Sequence, residues 1–172
     1  TRLGILGMGR IGRKIAKIAM SLGMVIHYHN RSKLNADKEN GATYHKELKS
    51  LLSVSDVLSV CCPASKETVN LINKDTLEYL PKGAVVTNVA RGDIVDDEAL
   101  IDALNRRKVY AVGLDVYKGE PNLNPGYLKH KSAFILPHLG SATKDTRTAM
   151  ANLAINNLEE FFKTGNCKNK VN

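Results

Sequence analysis

The chain has 172 residues, of which 43% are hydrophobic and 24% charged, a balance typical of one globular domain with its own core. No apolar run approaches the roughly 20 residues that span a bilayer, and nothing resembles a signal peptide, so we expect a cytoplasmic protein without a membrane partner. The three cysteines fit neither a disulfide framework nor a metal site. The net charge of +8 comes from scattered lysines and arginines, which makes nucleic-acid binding a weaker alternative.

The first predicted strand, Leu3–Leu6, runs directly into a Gly-x-Gly-x-x-Gly segment, and a helix over Arg13–Met20 follows. Gly7 permits a tight turn, Gly9 lets the backbone approach phosphates, and Gly12 lets the helix pack close to the strand. Free N–H groups at the helix start then face an anion. This order of strand, turn and helix predicts a site for a dinucleotide.

Short apolar strands alternate with amphipathic helices along the rest of the chain. The predicted strands are Met24–His29, Ala42–Tyr44, Val57–Cys61, Ala84–Asn88, Val109–Val116 and Ala133–Leu136. The predicted helices are Lys46–Ser53, Lys74–Leu80, Asp96–Arg107 and Thr143–Thr164. Such alternation predicts an α/β fold, a Rossmann-type doubly wound parallel sheet, here as a single cofactor-binding domain over residues 1–172.

The residues after the second strand bear on the choice of cofactor. An acidic residue at this place binds the ribose 2′-hydroxyl of NAD, but here Asn30 takes its position, and Arg31 and Ser32 follow. A guanidinium and a hydroxyl can receive a 2′-phosphate that a carboxylate would repel. The segment therefore favours NADP, although Arg31 is also compatible with NAD.

Four polar residues follow the ends of later strands: Arg91, Asp115, Glu120 and His138. Ligands of open α/β sheets bind at the carboxyl ends of strands, so we expect these side chains to converge on one crevice. Each alone has an ordinary structural explanation, but together they suit the reduction of a carbonyl. A histidine can supply the proton, a carboxylate beside it favours imidazolium, and an arginine can hold a substrate carboxylate through two N–H groups.

At these segments the chain resembles the D-isomer-specific 2-hydroxyacid dehydrogenases. The matching segments are Gly7–Gly12, Asn88–Gly92, Gly113–Val116 with Glu120-Pro121, and Pro137–Thr143. The resemblance implies that Arg91 binds the substrate carboxylate, His138 is the acid/base and Glu120 is its partner. Formate dehydrogenases share the scaffold but carry Gln at the position of Glu120, which argues against that branch.

The resemblance also implies a set of cofactor-binding residues. These are Gly7, Gly9, Arg10, Ile11, Gly12, Asn30, Arg31, Ser32, Cys62, Pro63, Thr68, Val89, Ala90, Asp115, His138 and Gly140. The His-Asn-Arg-Ser ending of the second strand is most similar to the glyoxylate/hydroxypyruvate reductase branch, whose members often use NADP. We therefore expect a small 2-ketoacid or 2-hydroxyacid as substrate, and no metal.

Members of this family normally carry about a hundred further residues before the glycine segment, forming most of a substrate domain. We therefore expect this chain to be a cofactor domain that binds its cofactor but turns over weakly or not at all, because closure of the cleft cannot orient the substrate. The resemblance further implies a homodimer. An alternative from another class is a dinucleotide-sensing protein similar to the corepressors built on the same scaffold.

Overall fold

The structure, a computed structural model, describes residues 1–171, which divide into two compact units, one over residues 1–137 and one from His138 onward. The strands of the first unit are β1 (Arg2–Leu6), β2 (Val25–His29), β3 (Thr43–Tyr44), β4 (Val57–Val60), β5 (Ala84–Asn88), β6 (Val109–Leu114) and β7 (Ala133–Ile135). Its α-helices are α1 (Arg10–Ser21), α2 (Ala36–Glu39), α3 (Leu48–Val54), α4 (Lys74–Leu77) and α5 (Asp97–Asn105). The second unit contains α6 (Lys144–Thr164).

The seven strands form one sheet in the order β3-β2-β1-β4-β5-β6-β7, and every pair of neighbours within it is parallel. The order reverses on the two sides of β1, because β2 pairs with one edge of β1 and β4 with the other. The predicted doubly wound Rossmann-type sheet is confirmed. In such sheets the crevice at the reversal point, beyond the carboxyl ends of the strands, is where ligands bind.

Two apolar clusters hold helices against this sheet. Successive side chains of a strand point to opposite faces, so Leu3 and Ile5 enter one cluster with α1, and Leu6 enters the other with α3, α4 and α5. The second cluster is the larger and also contains most of the buried side chains of β4, β5 and β6. The crevice at the reversal point is therefore bordered by elements with packed cores on both faces.

The element boundaries differ from the predicted ones mainly near polar residues. Helix α1 begins at Arg10, three residues before the predicted start, because Gly9 is the N-cap and Gly12 already lies in the first turn. Strand β3 is shorter than predicted, and the short α2 before it was not predicted. Helix α3 is shifted to Leu48–Val54, and α4 ends at Leu77 rather than Leu80.

Ion pairs join neighbouring segments of the chain at the end of the sheet where the strands begin. The guanidinium of Arg2 binds the carboxylate of Asp56 through two bonds of 2.6 and 3.2 Å, which links the start of β1 to the residue before β4. These hydrogen bonds from Arg2 lower the pKa of Asp56 to about 2. Arg106, just before β6, donates to Glu78 at 2.7 Å and to Asp102 at 2.8 Å.

Candidate functional site

The glycine turn between β1 and α1 is fixed by close contacts with backbone. Gly7 has a φ of +99°, and a Cβ there would lie 2.5 Å from the backbone nitrogen of Cys62. A Cβ on Gly12 would lie 2.5 Å from the carbonyl oxygen of Gly7. A Cβ on Gly9, in contrast, would meet no atom of the described chain within 4 Å. Two of the glycines thus serve packing, and the third borders open space.

The N-terminus of α1 faces that open space without a partner from the side chains. Within residues 1–171, no side chain caps this helix end, and its first turn holds no acidic residue. The first N–H groups of a helix have no partner within the helix, and the helix dipole favours an anion beside them. Arg10 and Ile11 lie in this turn and are exposed. The turn therefore fits the pyrophosphate of a dinucleotide.

A cavity of about 410 Å³ lies beside this turn. Its walls are Ile11, Cys61, Cys62, Pro63, Ala64, Val89, Ala90 and Arg91. The structure thus brings five predicted cofactor residues and the predicted substrate-binding arginine to one cavity. Sequence reasoning missed Cys61 and Ala64 as walls, although they adjoin predicted residues in the same loop. The cavity joins loops that follow β4 and β5.

The thiols in this wall act as apolar surface. Burial raises the pKa of the Cys62 thiol to about 11 and also raises that of Cys61. Both side chains are therefore protonated at neutral pH. A neutral thiol behaves as a small hydrophobic group, which suits the contact surface of a nucleotide base or ring.

Asn30, predicted to lie at the ribose end of the cofactor, contacts the glycine turn. Its side-chain oxygen accepts a hydrogen bond of 2.7 Å from the backbone N–H of Met8, within the glycine turn. The backbone carbonyl of Asn30 also accepts from the hydroxyl of Tyr44 at 3.3 Å. Asn30 therefore holds the turn to the end of β2. Arg31 and Ser32 follow on the surface with exposed side chains.

Thr68 closes the loop after β4. Its hydroxyl donates to the carbonyl of Pro63 at 3.0 Å and accepts from the N–H of Ser65 at 2.7 Å. Thr68 is not among the residues that line the cavity. Its contacts instead position Pro63, which forms part of the wall.

Asn88 organises the loop that carries Arg91. Its side chain is buried; it accepts from the N–H of Ala90 at 3.0 Å and donates to the carbonyl of Arg91 at 2.9 Å. The backbone carbonyl of Asn88 accepts from the N–H of Asp115 at 3.0 Å, which ties the end of β5 to the end of β6. Arg91 itself donates to the carbonyl of Ala90 at 2.6 Å. The turn is thereby fixed on both sides of the arginine.

The loops that carry Arg91 and Glu120 contact each other through Gly92. A Cβ on Gly92 would overlap the backbone carbonyl of Tyr117, so only glycine permits this approach. The N–H of Tyr117 donates to a side-chain oxygen of Glu120 at 3.1 Å. The first unit therefore brings the loops of two predicted catalytic residues together at the carboxyl edge of the sheet.

Comparison with known proteins identifies the family. The family described as D-isomer specific 2-hydroxyacid dehydrogenase, NAD binding domain, matches residues 1–140. The chain belongs to this family. The predicted resemblance is confirmed, and residues of two of its motif segments, Gly7–Gly12 and Asn88–Gly92, line the cavity just described.

Relatives of this chain agree with the predicted branch. A glyoxylate reductase from Aeropyrum pernix is 44% identical over 99% of the chain and 51% of its own length. The crystal structure of a glyoxylate reductase from Paecilomyes thermophila superposes with a TM-score of 0.94, at 42% identity, over 99% of the chain and 52% of that protein. The structure of an NADPH-dependent glyoxylate/hydroxypyruvate reductase from Sinorhizobium meliloti, solved with NADP and malonate, superposes with a TM-score of 0.93. Its identity is 36%, over 97% of the chain and 51% of that protein. The chain spans about half the length of these relatives.

The remaining predicted residues of the family pattern, His138 and Gly140, belong to the second unit. His138 has a φ of +55°. In the turn that follows, the backbone carbonyl of Leu139 accepts a hydrogen bond of 2.9 Å from the N–H of Ala142. Thr143 then caps α6, because its hydroxyl accepts from the N–H of Thr146 at 3.2 Å. The pairing of His138 with Glu120 stays a prediction.

A larger cavity of about 630 Å³ lies elsewhere in the first unit. It is lined by Asp96, Asp97, Glu98, Lys118, Asn122, Leu123, Asn124 and Pro125. Three neighbouring carboxylates make it a poor place for the phosphates of a dinucleotide. The smaller cavity beside the glycine turn is therefore the candidate cofactor site.

Residues 1–171 contain neither a cluster suited to a metal ion nor a helix suited to a membrane. No group of three or more His, Cys, Asp or Glu side chains is arranged to hold a metal ion in that range. None of the helices described there is long and apolar enough to cross a membrane.

Proposed function

We propose that this chain is the NAD(P)-binding part of an oxidoreductase that reduces a 2-ketoacid, glyoxylate or hydroxypyruvate, to the 2-hydroxyacid. One observation carries the proposal. The N-terminus of α1 has no side-chain cap and faces open space at Gly9, and Ile11 in its first turn lines the same cavity as Arg91. A dinucleotide needs an anion site at one end and a substrate-facing wall at the other, and this crevice offers both. The relatives reported above are reductases, and the corepressor-like alternative finds no support in them.

The proposed roles follow from the chemistry of the side chains. When bound, the cofactor supplies a hydride to the carbonyl carbon of the ketoacid. Arg91 holds the substrate carboxylate through two N–H groups, and its positive charge polarises the adjacent carbonyl. His138 gives a proton to the developing alkoxide, and Glu120 favours the imidazolium form that carries this proton. The roles of His138 and Glu120 rest on the family resemblance.

We propose that NADP is preferred over NAD. Support comes from Arg31 and Ser32, which are exposed directly after β2, and from Asn30, which places no carboxylate where a 2′-phosphate would lie. The relative from Sinorhizobium meliloti is described as NADPH-dependent and was solved with NADP. A dissociation constant for NADPH at least tenfold below that for NADH would support this preference; equal constants would contradict it.

The whole activity is expected to need more than this chain. Its relatives are about twice as long, and closure of a cleft between domains orients substrate and excludes water. We therefore propose that the chain binds cofactor by itself but reduces glyoxylate or hydroxypyruvate only slowly. Assaying the chain and a longer form under matched conditions tests this proposal, which equal turnover would reject.

The family resemblance also supports a homodimer as the assembly. Light scattering across a wide range of protein concentration tests it. A mass of about twice that of the chain supports the proposal, and a single-chain mass at every concentration contradicts it.

A further inference from the structure

We propose that Tyr28 is a positioning residue for the choice of cofactor, because its buried hydroxyl fixes the loop that carries Arg31 and Ser32. The inference rests on the proposed function, in which these two side chains receive the 2′-phosphate of NADP. It adds a residue of β2 that acts on the cofactor only through this loop. Loss of the hydroxyl would weaken the binding of NADPH and leave that of NADH nearly unchanged.

The hydroxyl of Tyr28 joins three segments of the chain. Tyr28 lies in β2 and has no exposed surface. Its hydroxyl accepts a hydrogen bond of 3.0 Å from the backbone N–H of Leu34 and donates one of 2.5 Å to Oε1 of Glu39. Leu34 comes two residues after Ser32, and Glu39 is the last residue of α2. The strand, the loop and the helix that follows therefore meet at one buried oxygen.

The start of the same loop is held by a separate set of bonds. The backbone carbonyl of His29 accepts from the N–H of Gly7 at 3.0 Å, and the side chain of Asn30 is bound to the same glycine turn. In the part of the chain that the structure describes, the backbone of residues 31–33 makes no hydrogen bond. The two side chains that would receive the phosphate thus lie between an anchor at Asn30 and an anchor at Leu34.

The carboxylate of Glu39 holds the loop at a further point. Its Oε2 lies 3.7 Å from Nζ of Lys33, while Oε1 accepts from Tyr28. Burial raises the pKa of Tyr28 to about 12, and the hydrogen bond to Glu39 contributes, so the hydroxyl keeps its proton at neutral pH. Without the hydroxyl, the N–H of Leu34 and the half-buried carboxylate of Glu39 would each lose a partner. Loosening of the loop would relieve this cost by letting both groups reach water.

The two cofactors depend on this loop to different extents. NADPH would contact Arg31 and Ser32 through its 2′-phosphate, so its binding must offset the entropy lost when a loose loop is ordered. NADH carries a hydroxyl at this position and relies on the glycine turn, whose bonds with His29 and Asn30 do not involve Tyr28. A loose loop therefore lowers the affinity for NADPH selectively.

Dissociation constants of NADPH and NADH, measured by fluorescence titration of the 172-residue chain, test the inference. Tyr28→Phe removes only the hydroxyl and retains the ring, whose centroid lies 5.3 Å from that of Tyr44. We expect the constant for NADPH to rise about threefold to tenfold and that for NADH to change by less than about twofold. Tyr110→Phe, the same change at an exposed position of β6, is the matched control and should alter neither constant.

A double-mutant cycle with Arg31→Ala separates the possible failures. Arg31→Ala should weaken NADPH about tenfold or more with little effect on NADH, and Tyr28→Phe should then add little to the loss. If Arg31→Ala weakens both cofactors equally, the NADP preference itself fails and takes this inference with it. If Arg31→Ala is selective, three results for Tyr28→Phe overturn the role of Tyr28 alone. These are an unchanged affinity for NADPH, an equal loss for both cofactors, and a full effect that persists in the Arg31→Ala background.

Discussion

The side-chain oxygen of Asn30 accepts a hydrogen bond of 2.7 Å from the backbone N–H of Met8, which joins the residue after β2 to the glycine turn. Asn30→Ala removes the acceptor. It should lower the free energy of unfolding by about 1 kcal/mol and weaken the binding of both cofactors.

Asn30→Asp keeps an acceptor but adds a charge that repels a 2′-phosphate. It should retain stability and shift preference towards NADH at least tenfold. Urea unfolding and the two dissociation constants check both outcomes; equal weakening of the two cofactors by Asn30→Asp would contradict this account.

Gly9 should be required for the cofactor and not for the fold. A Cβ there meets no described atom within 4 Å, so Gly9→Ala should change the free energy of unfolding by less than about 1 kcal/mol. The methyl group would occupy the space of the pyrophosphate and should weaken NADPH and NADH alike, by about tenfold or more. Leu22→Ala is a control, since this side chain is exposed and lies at the other end of α1. Undiminished affinity in Gly9→Ala would place the pyrophosphate elsewhere.

Gly92 should be required for the packing of the loops that carry Arg91 and Glu120. A Cβ at this position overlaps the backbone of Tyr117, and backbone cannot move aside as a flexible side chain can. We expect Gly92→Ala to lower the free energy of unfolding by about 1–3 kcal/mol, a cost typical of overpacking. Thermal unfolding of Gly92→Ala beside Gly9→Ala measures the contrast. Equal stability of the two variants would mean that the loops separate freely.

His138→Ala tests the proposed acid/base. In a form of the protein long enough to turn over, the rate of glyoxylate or hydroxypyruvate reduction should fall about 10²–10⁴-fold. The dissociation constant of NADPH should change little, because the proton donor acts on the substrate. Steady-state kinetics and fluorescence titration separate these effects. His29→Ala serves as a control, since this histidine binds the backbone carbonyl of His45 in the β2–β3 region; a near wild-type rate in His138→Ala would refute the role.

A pair of histidines should make the stability depend on pH. Nδ1 of His27 lies 2.9 Å from Nε2 of His45, a distance that requires one ring nitrogen to be unprotonated. Burial lowers the pKa of both side chains below 6.5, and the charge of Arg2 lowers that of His27 further, against the opposing charge of Asp56. The unfolded chain then binds more protons between the folded pKa values and 6.5, so stability falls as the pH drops below about 6.5.

The melting temperature at pH 7.5 and pH 5.5 measures this effect. Wild type should lose stability on going to the lower pH, and His45→Gln should lose less because the pair no longer exists. An equal loss in the variant would assign the pH dependence to other groups. Both pH values lie above the range in which Asp56 titrates, so the Arg2–Asp56 pair does not contribute to the difference.

The sequence predicts most of this fold because its signals are local. The β-branched run before Asn88 and the glycines after Leu6 mark strands and turns that the structure confirms within a few residues. Helix α2 and the shortened β3 lie in a polar stretch without apolar periodicity, so no local pattern indicates them. The bond between Asn30 and Met8 spans 22 residues of the chain and has no local signature.

At the site, residues within motifs could likewise be predicted, whereas contacts between separate loops could not. Recognisable motifs predict Arg91, Pro63 and Val89, which line the crevice. The contact between Gly92 and Tyr117 depends on how two loops pack, and nothing in either segment alone reveals it.

The ion pairs of Arg2 with Asp56 and of Arg106 with Glu78 lie where strands begin, whereas the dinucleotide turn and the Arg91 loop lie where strands end. The loops predicted to bind the cofactor thus lie at the carboxyl ends of the strands. The ion pairs lie one strand length away, at the opposite ends, which we call the supporting edge. A fluorophore, an affinity handle or a link to a solid support attached at the supporting edge would leave the cofactor crevice open. For biosensors of reduced nicotinamide nucleotides, the exposed surface around Glu78 and Arg106 is therefore the natural point of attachment.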